Sequence, residues 1–189
     1  MSEASSSVKG LMSAIIGIEA KDLLHVIDSV DGYVKIANYN TYGQLVISGT
    51  EEAVLEVNEK ALEFGAKRAI VLNTSGPFHT DLMKEASDKL SKYLENIELK
   101  QPTKELLINT TGDYYHGDLK DIMASQITSS VMFYQMIEKL IDDDVTTFIE
   151  VGPKKTLCGF VKKINRTLNL YNVEDTLSLD KLVHFLKED

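Results

Sequence analysis

Apolar positions along the chain change period several times, and each change marks an element boundary. Residues 11–17, LMSAIIG, form a short apolar run closed by Gly17, the pattern of a strand. In residues 19–30, Leu23, Leu24, Ile27 and Val30 recur at helical spacing. YVKIANYN (33–40) alternates with period two, and QLVISGT (44–50) supplies another strand. Thr41-Tyr42-Gly43 between them has hairpin length. Thr50 followed by Glu51 and Glu52 predicts a capped helix start, with Val54, Leu55, Ala61, Leu62 and Phe64 facing inward until Gly65. KRAIVLN (67–73) is the next strand. The order β-α-β-β-α-β is the ferredoxin-like arrangement.

Beyond it the pattern changes. Residues 80–96 predict a long amphipathic helix through Leu82, Met83, Ala86, Leu90 and Leu94. ELLIN (105–109) and TTFIEVG (146–152) read as strands, and 118–126, 131–142, 155–165 and 178–187 as helices. Alternating strands and helices imply a parallel α/β layer, yet two strands bury the faces of such a layer poorly. This half is expected to be incomplete. The run Asp142-Asp143-Asp144 fits a helix end and loop.

Composition narrows the classes. Twenty basic against 29 acidic residues give a net charge of −9, which argues against a general nucleic-acid binder. No apolar run is long enough to span a membrane, and MSEASSSVKG lacks the basic start and apolar core of a secretory signal. The single cysteine, Cys158, forms no intrachain disulfide, which fits a reducing, cytoplasmic setting.

Candidate chemistry centres on NTSGPFHTDLM (73–83), where His79 stands between a strand and a helix. Imidazole titrates near working pH without special tuning, so His79 is a candidate general base aimed into a cleft. A helix-start histidine that caps or packs is the plainer alternative. No G-x-S-x-G elbow occurs to supply a nucleophile. Ser5, Ser6 and Ser7 lie in a polar stretch, Ser75 has no elbow around it, and Cys158 reads as a small core residue. His25, His79, His116 and His184 are scattered, so no metal site is expected.

Gly152-Pro153-Lys154-Lys155 follows a strand and opens a helix, so its backbone N–H groups could face an anion. Lys154, Lys155, Lys162, Lys163 and Arg166 form either a solvated helix face or a docking patch for an acidic partner. Asn38, Asn40 and Gln44 cluster around the hairpin, and Asn109 and Gln126 end later elements. Such amides orient substrates or histidines, or simply satisfy turn backbones.

Six segments in order, GLMSAIIGI, ANYNTYGQLVISGT, FGAKRAIVLNTSGPFHTDLM, LLINTTGD, ASQITS and TTFIEVGPKKTLCGFVKKI, resemble the malonyl-CoA:acyl carrier protein transacylase family. The resemblance implies an α/β-hydrolase-like acyltransferase fold with an inserted ferredoxin-like subdomain. On that division, 10–75 is the small subdomain and 76–189 the C-terminal part of the large one. It implies that malonyl passes from malonyl-CoA, through a serine, to the thiol of acyl carrier protein, with no bound cofactor. His79 matches the histidine that activates the serine, and Gln126 the glutamine whose carbonyl orients it. Asn38, Asn40, Gln44 and Asn109 match polar residues of the active-site region, and Phe78 resembles the residue found there in malonyl-selecting members.

The family's G-H-S-L-G-E elbow and Gly-Gln-Gly oxyanion segment are expected upstream, and Met1 resembles the methionine of an R-G-x-x-M pattern whose arginine holds the malonyl carboxylate. A missing N-terminal half is therefore an expected partner, and the chain alone is expected to be inactive. A carrier-protein-binding module without catalysis, or an inactive fragment, is the alternative. GPKK stands where GPGK is common, and Ser130 where a proline usually precedes Val131.

Overall fold

The computed structural model describes residues 9–188. Met1 and Ser5–Ser7 therefore lie outside the described residues. Two compact units are present, the first ending at Met136 and the second beginning at Ile137.

The first unit opens with β1 (Leu11–Ile16), α1 (Ala20–Asp28), β2 (Val34–Thr41), β3 (Gln44–Gly49), α2 (Glu51–Phe64) and β4 (Arg68–Val71). The strands form one sheet in the order β2-β3-β1-β4, every neighbour antiparallel, which is the ferredoxin-like topology. Ile15, Leu23, Leu45, Ile47, Val54 and Val57 are fully buried between the sheet and its two helices. Burial of such side chains contributes roughly 1.5–3 kcal/mol each.

Three local expectations need correction. On α2 the buried stripe is Ala53, Val54, Val57, Asn58 and Ala61, while Leu55, Leu62 and Phe64 are 42%, 46% and 51% exposed. Residues 54, 57 and 61 share one helical face, and positions 55 and 62 are rotated off it. On α1, Leu23 and Val26 are buried and Leu24 is exposed. Thr50 occupies the N-cap position of α2, but its hydroxyl makes no cap bond and donates instead to the Tyr33 carbonyl at 3.4 Å. Glu51 and Glu52 still favour that end of the helix dipole, and Gly65, at φ 118°, terminates it.

The expected helix over 80–96 begins as a 3-10 turn, Asp81–Met83, and continues as α3 (Lys84–Glu95). There follow β5 (Leu107–Ile108), β6 (Asp113–Tyr114), α4 (Leu119–Ser125) and α5 (Phe133–Asp142). ELLIN does not enter a parallel layer. Its two strand residues pair antiparallel with β6. A parallel connection needs a long crossover, whereas the short turn between these strands permits only a reversal.

The second unit contains β7 (Thr147–Val151), α6 (Thr156–Ile164), β8 (Asn169–Val173) and α7 (Thr176–Glu188). β7 and β8 pair in parallel, from Thr147 opposite Asn169 to Val151 opposite Val173. Sequence periodicity assigns no strand to 169–173, so the partner of TTFIEVG was missed. Val161 and Leu182 are buried, and the Tyr171 and Phe185 rings meet tilted by 31°, with centroids 4.4 Å apart. Asp142 ends α5 and Asp144 turns the chain at φ 62°, as the acidic run suggested. No helix among the described residues is long and apolar enough to cross a membrane.

Candidate active site

His79 sits where the chain leaves the sheet and turns toward α3. Its backbone has φ 62°, a left-handed conformation that side chains other than glycine rarely adopt. Neighbouring bonds hold it there. Its N–H donates to the Ile127 carbonyl at 3.1 Å, and the buried Thr80 hydroxyl donates to the Pro77 carbonyl at 2.6 Å. A strained conformation kept by surrounding bonds marks a candidate functional position.

The ring is fixed as firmly as the backbone. Nδ1 lies 3.0 Å from the Gln126 carbonyl oxygen and 3.1 Å from that of Ser129. Carbonyl oxygens only accept, so Nδ1 must carry the hydrogen and share it between them. In the neutral ring, Nε2 then keeps its lone pair. A histidine held in this tautomer is ready to take a proton at Nε2.

A cavity of about 800 Å³ opens at this residue, lined by Asn38, Phe78, His79, Asn109 and Gln126 together with apolar side chains such as Met12 and Leu90. Five of the seven residues singled out in the sequence thus meet in one place. Asn40 and Gln44 lie on the β2–β3 hairpin outside the lining. Phe78 packs against both Met12, Ala14, Ala37 and Val46 on the sheet and Met83, Ala86 and Ile127 beside α3. One aromatic side chain therefore joins the two apolar clusters that floor the cavity.

Some contributors carried no signal. Ser129 acts through its carbonyl, which any residue provides. Ala86, Lys89, Met123 and Ile127 complete the described lining from α3, α4 and the turn after it. Lys89 is an exposed lysine paired with Glu85 at 2.6 Å. Among the described residues, no serine, threonine or cysteine lines the cavity.

Elsewhere the suspected chemistry resolves differently. The start of α6 does receive an anion, but it is the chain's own: the Glu150 carboxylate accepts the N–H groups of Leu157 and Cys158 at 3.1 and 2.8 Å. Burial pushes that carboxyl up, yet these N–H bonds outweigh it and hold it below the ordinary glutamate range. Glu174 likewise accepts the N–H of Lys154 at 2.8 Å. Cys158 donates its thiol to the Tyr171 carbonyl at 3.3 Å, and burial raises it above the ordinary cysteine value. It is a packed thiol rather than an activated one. No group of three or more His, Cys, Asp or Glu side chains among the described residues is placed to hold a metal ion.

No protein-family model matches the chain. Over its whole length, however, it is 42% identical to the malonyl CoA-acyl carrier protein transacylase of Bacillus subtilis (strain 168), covering 61% of that protein. It superposes with a TM-score of 0.94 and 37% identity on the crystal structure of malonyl CoA-acyl carrier protein transacylase from Clostridium perfringens Atcc 13124, covering 100% of this chain and 60% of that one. A malonyl-transacylase solved in complex with a holo type II PKS acyl-carrier protein matches at TM-score 0.90 and 30% identity, over 95% of this chain and 60% of that one. The chain spans about three fifths of the length of these relatives. In sequence over its whole length and in its α/β acyltransferase fold, the chain is a homologue of the malonyl CoA-acyl carrier protein transacylases and corresponds to about three fifths of one.

Proposed function

We propose that the chain supplies the base-bearing part of a malonyl transfer site. The observation that carries this reading is His79: a strained backbone, Nδ1 committed to two carbonyls, and a place in the cavity wall. In the proposed reaction Nε2 takes the proton of a serine hydroxyl as that oxygen attacks the thioester carbonyl of malonyl-CoA. The proton then passes to the departing coenzyme A thiolate, leaving malonyl on the serine. In the second half the pantetheine thiol of acyl carrier protein gives its proton to Nε2 and attacks the malonyl ester, and the proton passes to the departing serine oxygen as malonyl moves to the thiol. Proton transfer by a positioned histidine contributes roughly 10²–10⁴-fold in rate.

Gln126 orients His79 through its carbonyl. Asn38, Phe78 and Asn109 contact the acyl or pantetheine portion, and geometric support for substrate contact is confined to these three, since Asn40 and Gln44 lie outside the lining. Residues 10–75 act as the small subdomain and 76–189 as part of the large one. Among the described residues the lining offers no hydroxyl or thiol nucleophile, which supports the reading that the chain by itself does not turn over. The serine comes from the two fifths of the family fold that this chain does not match, and that part is its partner. The test mixes labelled malonyl-CoA, holo carrier protein and the chain, with and without the unmatched part of the Bacillus subtilis relative. Transfer only in the complemented mixture supports the reading; transfer by the chain alone, or by neither, sinks it.

A second reading rests on the exposed Lys154, Lys155, Lys162, Lys163 and Arg166: the chain binds carrier protein without catalysis, these residues meeting an acidic partner. Salt-sensitive binding with no transfer in the complemented mixture selects this reading.

A further inference from the structure

The carbonyls that fix His79 belong to a short segment whose own position is set by the sheet. Gln126 and Ser129 lie on the turn that leaves α4, where the N–H groups of Thr128 and Ser129 both donate to the Ser125 carbonyl, at 3.1 and 2.9 Å. That turn is tied at its start. At its far end the Ser130 hydroxyl donates to the Ile36 carbonyl at 2.6 Å. The Val131 N–H donates to the Ala37 carbonyl at 2.8 Å, and the Val131 carbonyl accepts from Tyr39 N–H at 2.8 Å, forming a parallel bridge beside Asn38. Lys35 adds a longer bond to the Thr128 carbonyl at 3.4 Å.

The strand that receives these bonds is shaped for them. β2 is an edge of its sheet, and its register against β3 shifts between Ile36 and Asn38. A bulge on an edge strand frees backbone groups from the ladder and re-aims neighbouring side chains. Here the carbonyls of Ile36, still in register with Ile47, and of the skipped Ala37 take the segment 130–131, while Asn38 lines the cavity.

We propose that Ser130 is a positioning residue for His79: its bond to the bulged edge of β2 sets the peptide plane that carries the Ser129 carbonyl, and so the tautomer of the imidazole. The Ser129 carbonyl and the Ser130 N–H share one planar peptide group. Anchoring the Ser130 side chain therefore restrains the direction of the oxygen that faces Nδ1. Without the hydroxyl, that plane is held only by its neighbours' backbone bonds and can tilt, one of the two acceptors is weakened, and the Nε2–H form becomes more populated. A protonated Nε2 cannot accept a proton from a nucleophile. The inference rests on the reading of His79 as the base, but its test needs no turnover.

The experiment uses the ¹⁵N-labelled 189-residue chain and long-range ¹H–¹⁵N correlation of the imidazoles, with His79 assigned by its loss in His79→Ala. In the unsubstituted chain His79 is expected as the Nδ1–H tautomer. Ser130→Thr keeps the donor and should preserve that state. Ser130→Ala and Ser130→Val should lower the Nδ1–H to Nε2–H ratio roughly fivefold or more, the factor expected for weakening one hydrogen bond. Thr and Val are nearly equal in size, so this pair decides the matter even if Ser130→Ala does not fold. An unchanged ratio in the Val protein, with or without lost stability, overturns the proposal. An Nε2–H tautomer in the unsubstituted chain sinks the reading of His79 itself, and the proposal with it.

Discussion

The imidazole Nδ1 of His79 lies 3.0 Å from the backbone oxygen of Gln126, 47 residues further along the chain. This contact joins the strand-to-helix turn at 76–80 to the turn that follows α4. It commits one ring nitrogen to the protein and leaves the other for chemistry.

The left-handed backbone at His79 costs stability that glycine would not lose. A side chain at φ near 60° is disfavoured by about 1–2 kcal/mol. His79→Gly and His79→Ala both lose the imidazole bonds, so their difference isolates the backbone. Urea denaturation should find the Gly protein more stable than the Ala protein by about 1 kcal/mol. Equal stability would show that no strain is held at this position.

Gly49 should tolerate no side chain. A Cβ there would stand 2.0 Å from the Tyr33 carbonyl oxygen and 2.6 Å from the Val34 Cα, both backbone atoms that cannot swing aside. Gly49→Ala is expected to cost about 3 kcal/mol or to prevent folding of the first unit. Gly43→Ala on the hairpin meets nothing within 4 Å and should lie within about 0.5 kcal/mol of the parent. Thermal melts of the two variants side by side check the contrast.

Much of the first unit is legible because its signals are local. The apolar run LMSAIIG, the alternation in YVKIANYN and the Gly65 stop mark elements without reference to partners. Which face of α2 is buried was less so: Leu55 and Leu62 are as apolar as Val57, and only packing on the sheet decides between them. Strand β8 depends on a parallel partner more than 20 residues earlier, a non-local pairing with a weak local signature. At the site, His79, Phe78 and Asn38 stand out by residue type. The Ser129 carbonyl does not, because backbone acceptors leave no trace in side-chain identity. Glu150 carried a readable signal, an acid at a strand end just before a helix, and it supplies the anion expected at that helix start.

The second unit should lose stability in acid through Glu150. Its folded carboxyl is held below the ordinary glutamate range by the Cys158 and Leu157 N–H bonds, against the opposing effect of burial. A depressed carboxyl stabilises the fold above its unfolded value, and the contribution disappears as pH falls through the folded value. The difference in melting temperature between the parent and Glu150→Gln should therefore be largest near neutrality and shrink as pH falls below the glutamate range. A difference that stays constant from neutral to acid pH would contradict the helix-start role.

The central claim is that His79 is the base of a malonyl transfer site whose nucleophile lies in the part of the family fold that this chain does not match. The most direct measurement is the malonyl transfer rate to holo carrier protein in the complemented mixture, comparing the parent chain with His79→Ala. The account predicts a fall of roughly 10²–10⁴-fold. Transfer by the His79→Ala chain within about threefold of the parent would contradict it.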